Sequence, residues 1–350
     1  MAGGNGSAEL DTVGVDWHDE QLQRVRAVFD SVDTAAADAD LRDKVLAQLP
    51  DGPEDLVASI GVFRDLLRVE HRADRFRRLL RIWTGKVAGA VRAREYEKAG
   101  MWMRALASAP VFAEEFSHLV AEARRDLSGD ELFSDLVTGL VETDSPVSAA
   151  PVLAAWGEPL VEYLIGQIVV EESIVNRRHI VEFLGMAGRG DARHLTARLA
   201  DSRWFVVRNV ATAIGKAGRV SALPALESIA DHEDDRVRVE VIRAIAALKG
   251  DGAVPGVLRF LSDSSPRVRQ AAASLLRASA ADSVVPGIVE ALEAGTGSAD
   301  DARRLVDIIA ERRGPQVREA LERLSSRKFA LGASKAVRDA ARAELERWPE

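Results

Sequence analysis

The feature that most constrains this chain is that it repeats itself. Between Asp201 and about Ala294 the sequence falls into register with itself at a shift of 31 residues. Val206, Val237 and Val268 align, as do Ile214, Ile245 and Leu276, and then Pro224, Pro255 and Pro286. Leu223, Val254 and Val285, with Leu226, Val257 and Ile288, complete the match. A period between about 20 and 50 residues marks a stack of small units, none able to bury its apolar faces alone.

Each unit reads as a pair of helices. From Asp235 to Leu248 the apolar residues Val237, Val241, Ile245 and Leu248 recur at helical spacing, on a run too long for a strand. Ile245 is therefore expected in the core, between its own and neighbouring repeats. Lys249-Gly250-Asp251-Gly252 stops this helix, glycine being the residue that most easily takes a left-handed terminal conformation. A second helix over about 253–261 carries Pro255 near its start, where a missing N–H costs nothing. Its stripe is Val254, Val257, Leu258 and Leu261. Asp263-Ser264-Ser265-Pro266 then reads as a break that caps the next helix. The expected fold is all-α: a right-handed α-solenoid, or superhelix, of helical hairpins, preceded by an irregular helical N-terminal region.

The motifs Asp231…Val237-Arg238, Asp263…Val268-Arg269 and Ala336-Val337-Arg338 carry a resemblance. An aspartate, Val-Arg, an alanine-rich helix, a glycine turn and Leu/Val-Pro is similar to the HEAT-like repeat of the subtype named after phycobilisome lyases. Arg203-Trp204-Phe205-Val206-Val207-Arg208-Asn209 resembles a run in bacterial HEAT-repeat proteins. The resemblance implies the solenoid fold and says little of function, since one fold serves many partners.

Taken in order, residues 1–15 hold four glycines and no apolar period, and are expected to be a disordered tail. Residues 16–128 read as a helical N-terminal region. Within it Leu22, Val25, Val28 and Phe29 form a stripe, 41–49 resumes the helix, and Pro50-Asp51-Gly52-Pro53 is a turn. Two long helices are expected over 54–97, hinged near Thr84-Gly85. A helix pair follows over 95–127, split at Pro110, with Trp102, Leu106, Phe112, Phe116 and Leu119 inward. Ser128-Gly129-Asp130 offers a cap for a helix over 131–142. Residues 129–350 are the repeat solenoid. Its best repeats span 171–294, and 295–350 form degenerate capping repeats whose charged outer face has no neighbour to cover.

Chemistry-bearing motifs are lacking. The 350 residues include no cysteine, so thiolate nucleophiles, disulfides and thiolate metal sites are excluded. No phosphate-binding Gly-x-x-x-x-Gly-Lys loop and no Gly-x-Ser-x-Gly elbow occur. The six histidines are scattered. One relative of the resembled family holds two irons through several His-Glu dipeptides. Here His232-Glu233 is the one such dipeptide, so that oxygenase activity is expected to be absent. No catalytic, metal or cofactor residue is assigned. No apolar run approaches the roughly 18 residues of a membrane span, and a cytoplasmic location is expected.

What remains is binding. Cations crowd Arg68 to Arg94 in a chain whose formal charge is −8. There Arg75, Arg77, Arg78 and Arg81 form a secondary basic patch, read first as a solvated face. In the repeats, Arg238 and Arg269 follow the buried valine and can join neighbouring turns as an Asp–Arg ladder. At the same slot Val207 replaces arginine, and Arg208 is displaced by one. The helices beginning at Val206, Val237 and Val268 are expected to line the concave side, which is the expected binding surface. The candidate partner-binding residues are Arg203, Trp204, Arg208, Thr212, Arg238, Arg243, Arg269 and Gln270. The expected function is a non-catalytic scaffold that binds a protein or peptide partner, an acidic one included, across the concave face of the solenoid. The alternatives are a nucleic-acid-binding or DNA-repair-related HEAT-like protein and a lyase-related one.

Overall fold

The computed structural model describes residues 23–24, 27, 55–107, 114–143, 146–295, 297–326 and 333–348. The expected tail at 1–15, the Pro50–Pro53 turn, Pro110 and Phe112 lie outside the described residues, as do the 16–49 helices apart from three helical positions. All described regular structure is helical. The chain divides into two units, Met1–Tyr163 and Leu164–Glu350. The 128/129 boundary expected from sequence falls inside the first.

The first unit contains α1 (Asp55–Val69), α2 (Ala73–Arg92), α3 (Tyr96–Ala107), α4 (Ser117–Asp126), α5 (Asp130–Val141) and α6 (Ala150–Trp156). Its core gathers Phe63, Trp83 and Trp102 edge to face, the two indoles 5.0 Å apart. Each buried indole N–H needs an acceptor. Trp83 Nε1 donates to the Trp102 carbonyl at 3.0 Å, and Trp156 Nε1 to the Leu127 carbonyl at 3.0 Å. Trp102, Leu106, Phe116 and Leu119 are buried as their spacing requires.

One local expectation is corrected. The break in 54–97 lies at Glu70–Arg72, and Thr84-Gly85 sits within α2. The Glu70 carboxylate accepts from the His71 and Arg72 backbone N–H groups, which competes with helix continuation. Gly85 is exposed with open space around it, so α2 tolerates it. The Ser128-Gly129-Asp130 turn does precede α5, with Gly129 as the N-cap residue and no side-chain capping bond, because Ser128 Oγ donates back to the Arg124 carbonyl.

α7 (Glu158–Val170) crosses the division. The second unit continues with α8 (Ile174–Gly188), α9 (Arg193–Thr196), α10 (Trp204–Ala217), α11 (Leu223–Ser228) and α12 (Asp235–Lys249). Then come α13 (Val254–Leu258), α14 (Pro266–Ala278), α15 (Val284–Ala294), α16 (Ala299–Glu311), α17 (Pro315–Ser325) and α18 (Ala333–Glu346). The long helices α8, α10, α12, α14 and α16 pack each on the next as one layer, and the proline-led α13, α15 and α17 form a second. This is an all-α solenoid. Val206, Val237 and Val268 are fully buried, and Ile245 is 8% exposed.

The turns follow the glycines: Gly218 (φ +71°) and Gly250 (φ +55°) end α10 and α12. Ser265, expected as a cap, is the α14 N-cap residue without a capping bond. Its hydroxyl instead reaches back to Asp235 of the preceding repeat at 2.6 Å.

Candidate functional site

In α10, α12 and α14 the residue five before the buried valine (Val206, Val237 and Val268) lies in the turn ahead of the helix, and that position decides where the arginines go. It is Asp263 in the α14 repeat, and Arg238 of α12 grips it with Nε at 2.9 Å and Nη2 at 2.7 Å. Arg238 Nη1 also donates to the His232 and Glu233 carbonyls. Arg269 repeats the pattern one step on, bonding Asp301 at 2.9 Å and the Asp263 and Ser264 carbonyls. The Asp–Arg ladder is present. Burial pushes the Asp263 carboxyl up, yet the Arg238 fork, the Ser265 N–H and the Arg269 charge outweigh it and hold it below the usual carboxylate range.

One rung is missing at both ends together. In the α10 repeat the arginine slot holds Val207, fully buried, and the acceptor position ahead of α12 is His232. The His232 Nδ1 accepts from the Asp234 N–H within its own turn. Asp201, the acceptor position ahead of α10, turns to Arg203 at 2.6 Å.

The candidate residues thus separate. Arg203 is tied to Asp201, while Arg238 and Arg269 are ladder rungs. Trp204 is half-buried, and Arg236 of the next repeat covers its ring at 3.3 Å from the centroid. Arg236 in turn holds Asp234, whose carboxyl is lowered to about 2 mainly by that hydrogen bond. Arg243 is exposed and paired with Glu240 at 2.8 Å. Gln270 is exposed on α14. Arg208 and Thr212 come together in a groove.

That groove, about 480 Å³ in volume, runs along α8 and α10 to Glu240 on α12. Thr212 Oγ1 donates to the Arg208 carbonyl at 3.1 Å and to Glu240 at 3.3 Å. Glu182 is met by Lys216 at 2.6 Å. Arg177 donates to the Glu171 carbonyl, six residues back, as the ladder arginines do with theirs. Arg178 and Arg208 have no carboxylate partner among the described residues. Asn209, 6% exposed, lines the groove with no hydrogen bond to its amide among them. Arg178 and Asn209 were not singled out in the sequence. The signal for Arg178 was available, because a shift of 30 that matches Phe183-Leu184-Gly185 to Ala213-Ile214-Gly215 also sets Arg178 on Arg208.

The basic patch lies on α2, with Arg77 and Arg81 exposed and Arg75 and Arg78 half-buried, opposite a face that buries Phe76, Leu79 and Trp83. At its end Arg92 pairs with Asp135 at 3.1 Å and Arg94 with Glu142. Among the described residues no group of three or more His, Asp or Glu could hold a metal, and no helix is long and apolar enough to cross a membrane.

The likeness to known proteins follows the repeats. The family model for HEAT repeats matches residues 192–277 and 223–325. No curated protein matches the sequence. Among solved structures, an engineered protein shares 18% identity over 92% of this chain and 98% of its own, with a TM-score of 0.31. The complex of CpcE and CpcF of phycocyanin lyase from Nostoc sp. shares 17% over 61% and 93%, TM-score 0.29. Human deoxyhypusine hydroxylase shares 14% over 73% and 97%, TM-score 0.30. The second unit is an all-α solenoid, and from 192 to 325 its repeats match HEAT repeats.

Proposed function

We propose that the protein is a non-catalytic scaffold of the cytoplasm that holds a protein partner across the concave face of the solenoid, the face its long helices line. The observation that carries this reading is the division of labour among the arginines. Those at ladder positions are consumed in joining repeats, whereas Arg208, one residue along, is left on the face without a counter-ion. A repeat stack offers such a face over a long distance and needs no reacting group. The lyase-type resemblance is to the repeat, and no lyase chemistry is carried over from it. An arginine left unpaired beside half-buried groups is the kind of residue that anchors an interface.

The test takes the partner captured by the purified protein from its host and measures affinity by calorimetry. Arg208→Glu combined with Gln270→Glu is expected to weaken binding by about 2 kcal/mol or more. The paired reversal of Arg77 and Arg78 on α2 is expected to leave it unchanged. Loss of affinity in the α2 variant alone would overturn the assignment and favour the basic N-terminal helices, with nucleic acid as the next partner to try.

A further inference from the structure

Arg178 and Arg208 occupy the same register on α8 and α10, two helices packed directly against each other. Packed helices lie about 8–10 Å apart, so the two guanidinium groups stand side by side along one groove. Four cations line it against two carboxylates. Both carboxylates are already engaged, Glu182 by Lys216 and Glu240 by Arg243 and Thr212. The uncompensated charge therefore belongs to Arg178 and Arg208. Next to them Asn209 lines the groove with an amide that can both donate and accept, and no partner engages it among the described residues.

Beside the charged part the surface turns apolar. Val170, Ile174 and Val175 are 68%, 71% and 61% exposed, and Ile174 also lines the groove. Val170 ends α7 and Ile174 and Val175 open α8, so the three flank the α7–α8 turn as an apolar shelf at one end. Adjacent apolar side chains this exposed mark an interaction surface more often than scattered ones do.

From this juxtaposition we infer that the α8–α10 groove is a receptor for an acidic, extended peptide segment of the partner. Two carboxylates of the segment meet Arg178 and Arg208, its backbone meets the Asn209 amide, and a following apolar side chain rests on Ile174 and Val175. Alternate residues of an extended chain lie about 7 Å apart on one side, which suits acidic residues at i and i+2 facing adjacent helices. A polyphosphate backbone fits less well. The apolar shelf at Ile174 and Val175 would meet nothing. The inference rests on the scaffold reading above and adds the chemistry of the occupant.

The probe is a fluorescein-labelled peptide, Ser-Glu-Ser-Glu-Ser-Leu-Ser-Leu, titrated with the full chain by anisotropy. A peptide with Gln for both Glu and a single-stranded oligonucleotide are run beside it. Binding of the Glu peptide is expected, with at least about a tenfold loss for Arg178→Glu and for Arg208→Glu, the equivalent of about 1.4 kcal/mol each. The Gln peptide should bind at least about tenfold more weakly, and the Glu peptide should weaken as salt rises. Arg259→Glu, on the proline-led layer, serves as control, and thermal melts verify that each variant folds. No binding of the Glu peptide to the unaltered protein, or binding indifferent to both reversals, overturns the inference. Oligonucleotide binding lost in the same variants, without peptide binding, reassigns the groove to phosphate. If the peptide fails while the captured partner still needs Arg208 and Gln270, the scaffold reading stands without this occupant. If the peptide binds and the partner is indifferent to that face, the scaffold reading fails instead.

Discussion

Arg238 and Asp263 are each 11% exposed in their side chains, and neither could be left alone there without cost. Removing one partner of a buried pair strands the other's charge, which typically costs about 3–5 kcal/mol, whereas replacing both by apolar groups of similar volume is often near neutral. Arg238→Met is therefore expected to destabilise the second unit by about 3 kcal/mol in denaturant titration. The double replacement Arg238→Met with Asp263→Leu should cost clearly less than the single one. Equal or additive losses would mean that the pair acts through something besides its charge. The same logic separates Arg208 from its neighbours. A guanidinium with no acceptor among the described residues contributes little to folding, so its replacement should register in binding and leave the melting temperature nearly unchanged. In sequence the ladder was legible as Val-Arg beside turn aspartates. The missing rung was half legible: Val207 in the arginine slot was visible, but its match to His232 emerged once the acceptor position was located in space.

Between adjacent long helices the contact is set by small residues. A methyl added to Gly185 of α8 would stand 2.8 Å from the Lys216 Cβ and 3.2 Å from the Ala213 carbonyl on α10. One repeat along, a methyl on Gly215 would lie 3.1 Å from the Ala244 Cα. These glycines let the backbones approach where a side chain would hold them apart, so α8 and α10 keep the groove and its two arginines in register. Overpacking a tight contact commonly costs about 1–3 kcal/mol. Gly185→Ala is expected to destabilise within that range and, by shifting α8 on α10, to weaken peptide binding as well. Gly256→Ala, in α13 with open space around the glycine, should instead be neutral or stabilising by up to about 1 kcal/mol through helix propensity. Thermal melts of the two variants check the contrast, and a Gly185→Ala protein as stable as its parent would sink the close-packing account.

In a stack, each repeat answers mainly to its neighbours. The second unit closes with α18, which packs on α16 and α17 and buries Val337 and Ala341 while Arg338, Arg342 and Glu344 keep part of their surface in solvent. Val337→Asp would place an unpaired carboxylate in that seam. Hydrogen exchange should then show lost protection over 333–348 and its contacts on α16 and α17, with α10 and α12 still protected. Collapse of protection throughout the unit would show instead that it unfolds as one cooperative body.

What the sequence determined by itself was the repeat, and through it the helices, their buried valines and the glycine stops. Those features are local and periodic, and a 3.6-residue stripe repeated every 31 residues has few ways to be buried. It also excluded cysteine chemistry outright. Tertiary structure decided the rest. The hinge expected at Thr84-Gly85 became helix because Gly85 had nothing to avoid, while the Glu70 carboxylate ended the helix before it. Trp204, an attractive anchor in the sequence, was covered by Arg236 from the next repeat. Arg178, unremarkable in its own helix, became half of a paired site because α8 stacks on α10 in register. Whether an arginine serves the fold or a partner depends on which acceptor stands across from it, and that acceptor lies some 30 residues away, on another repeat.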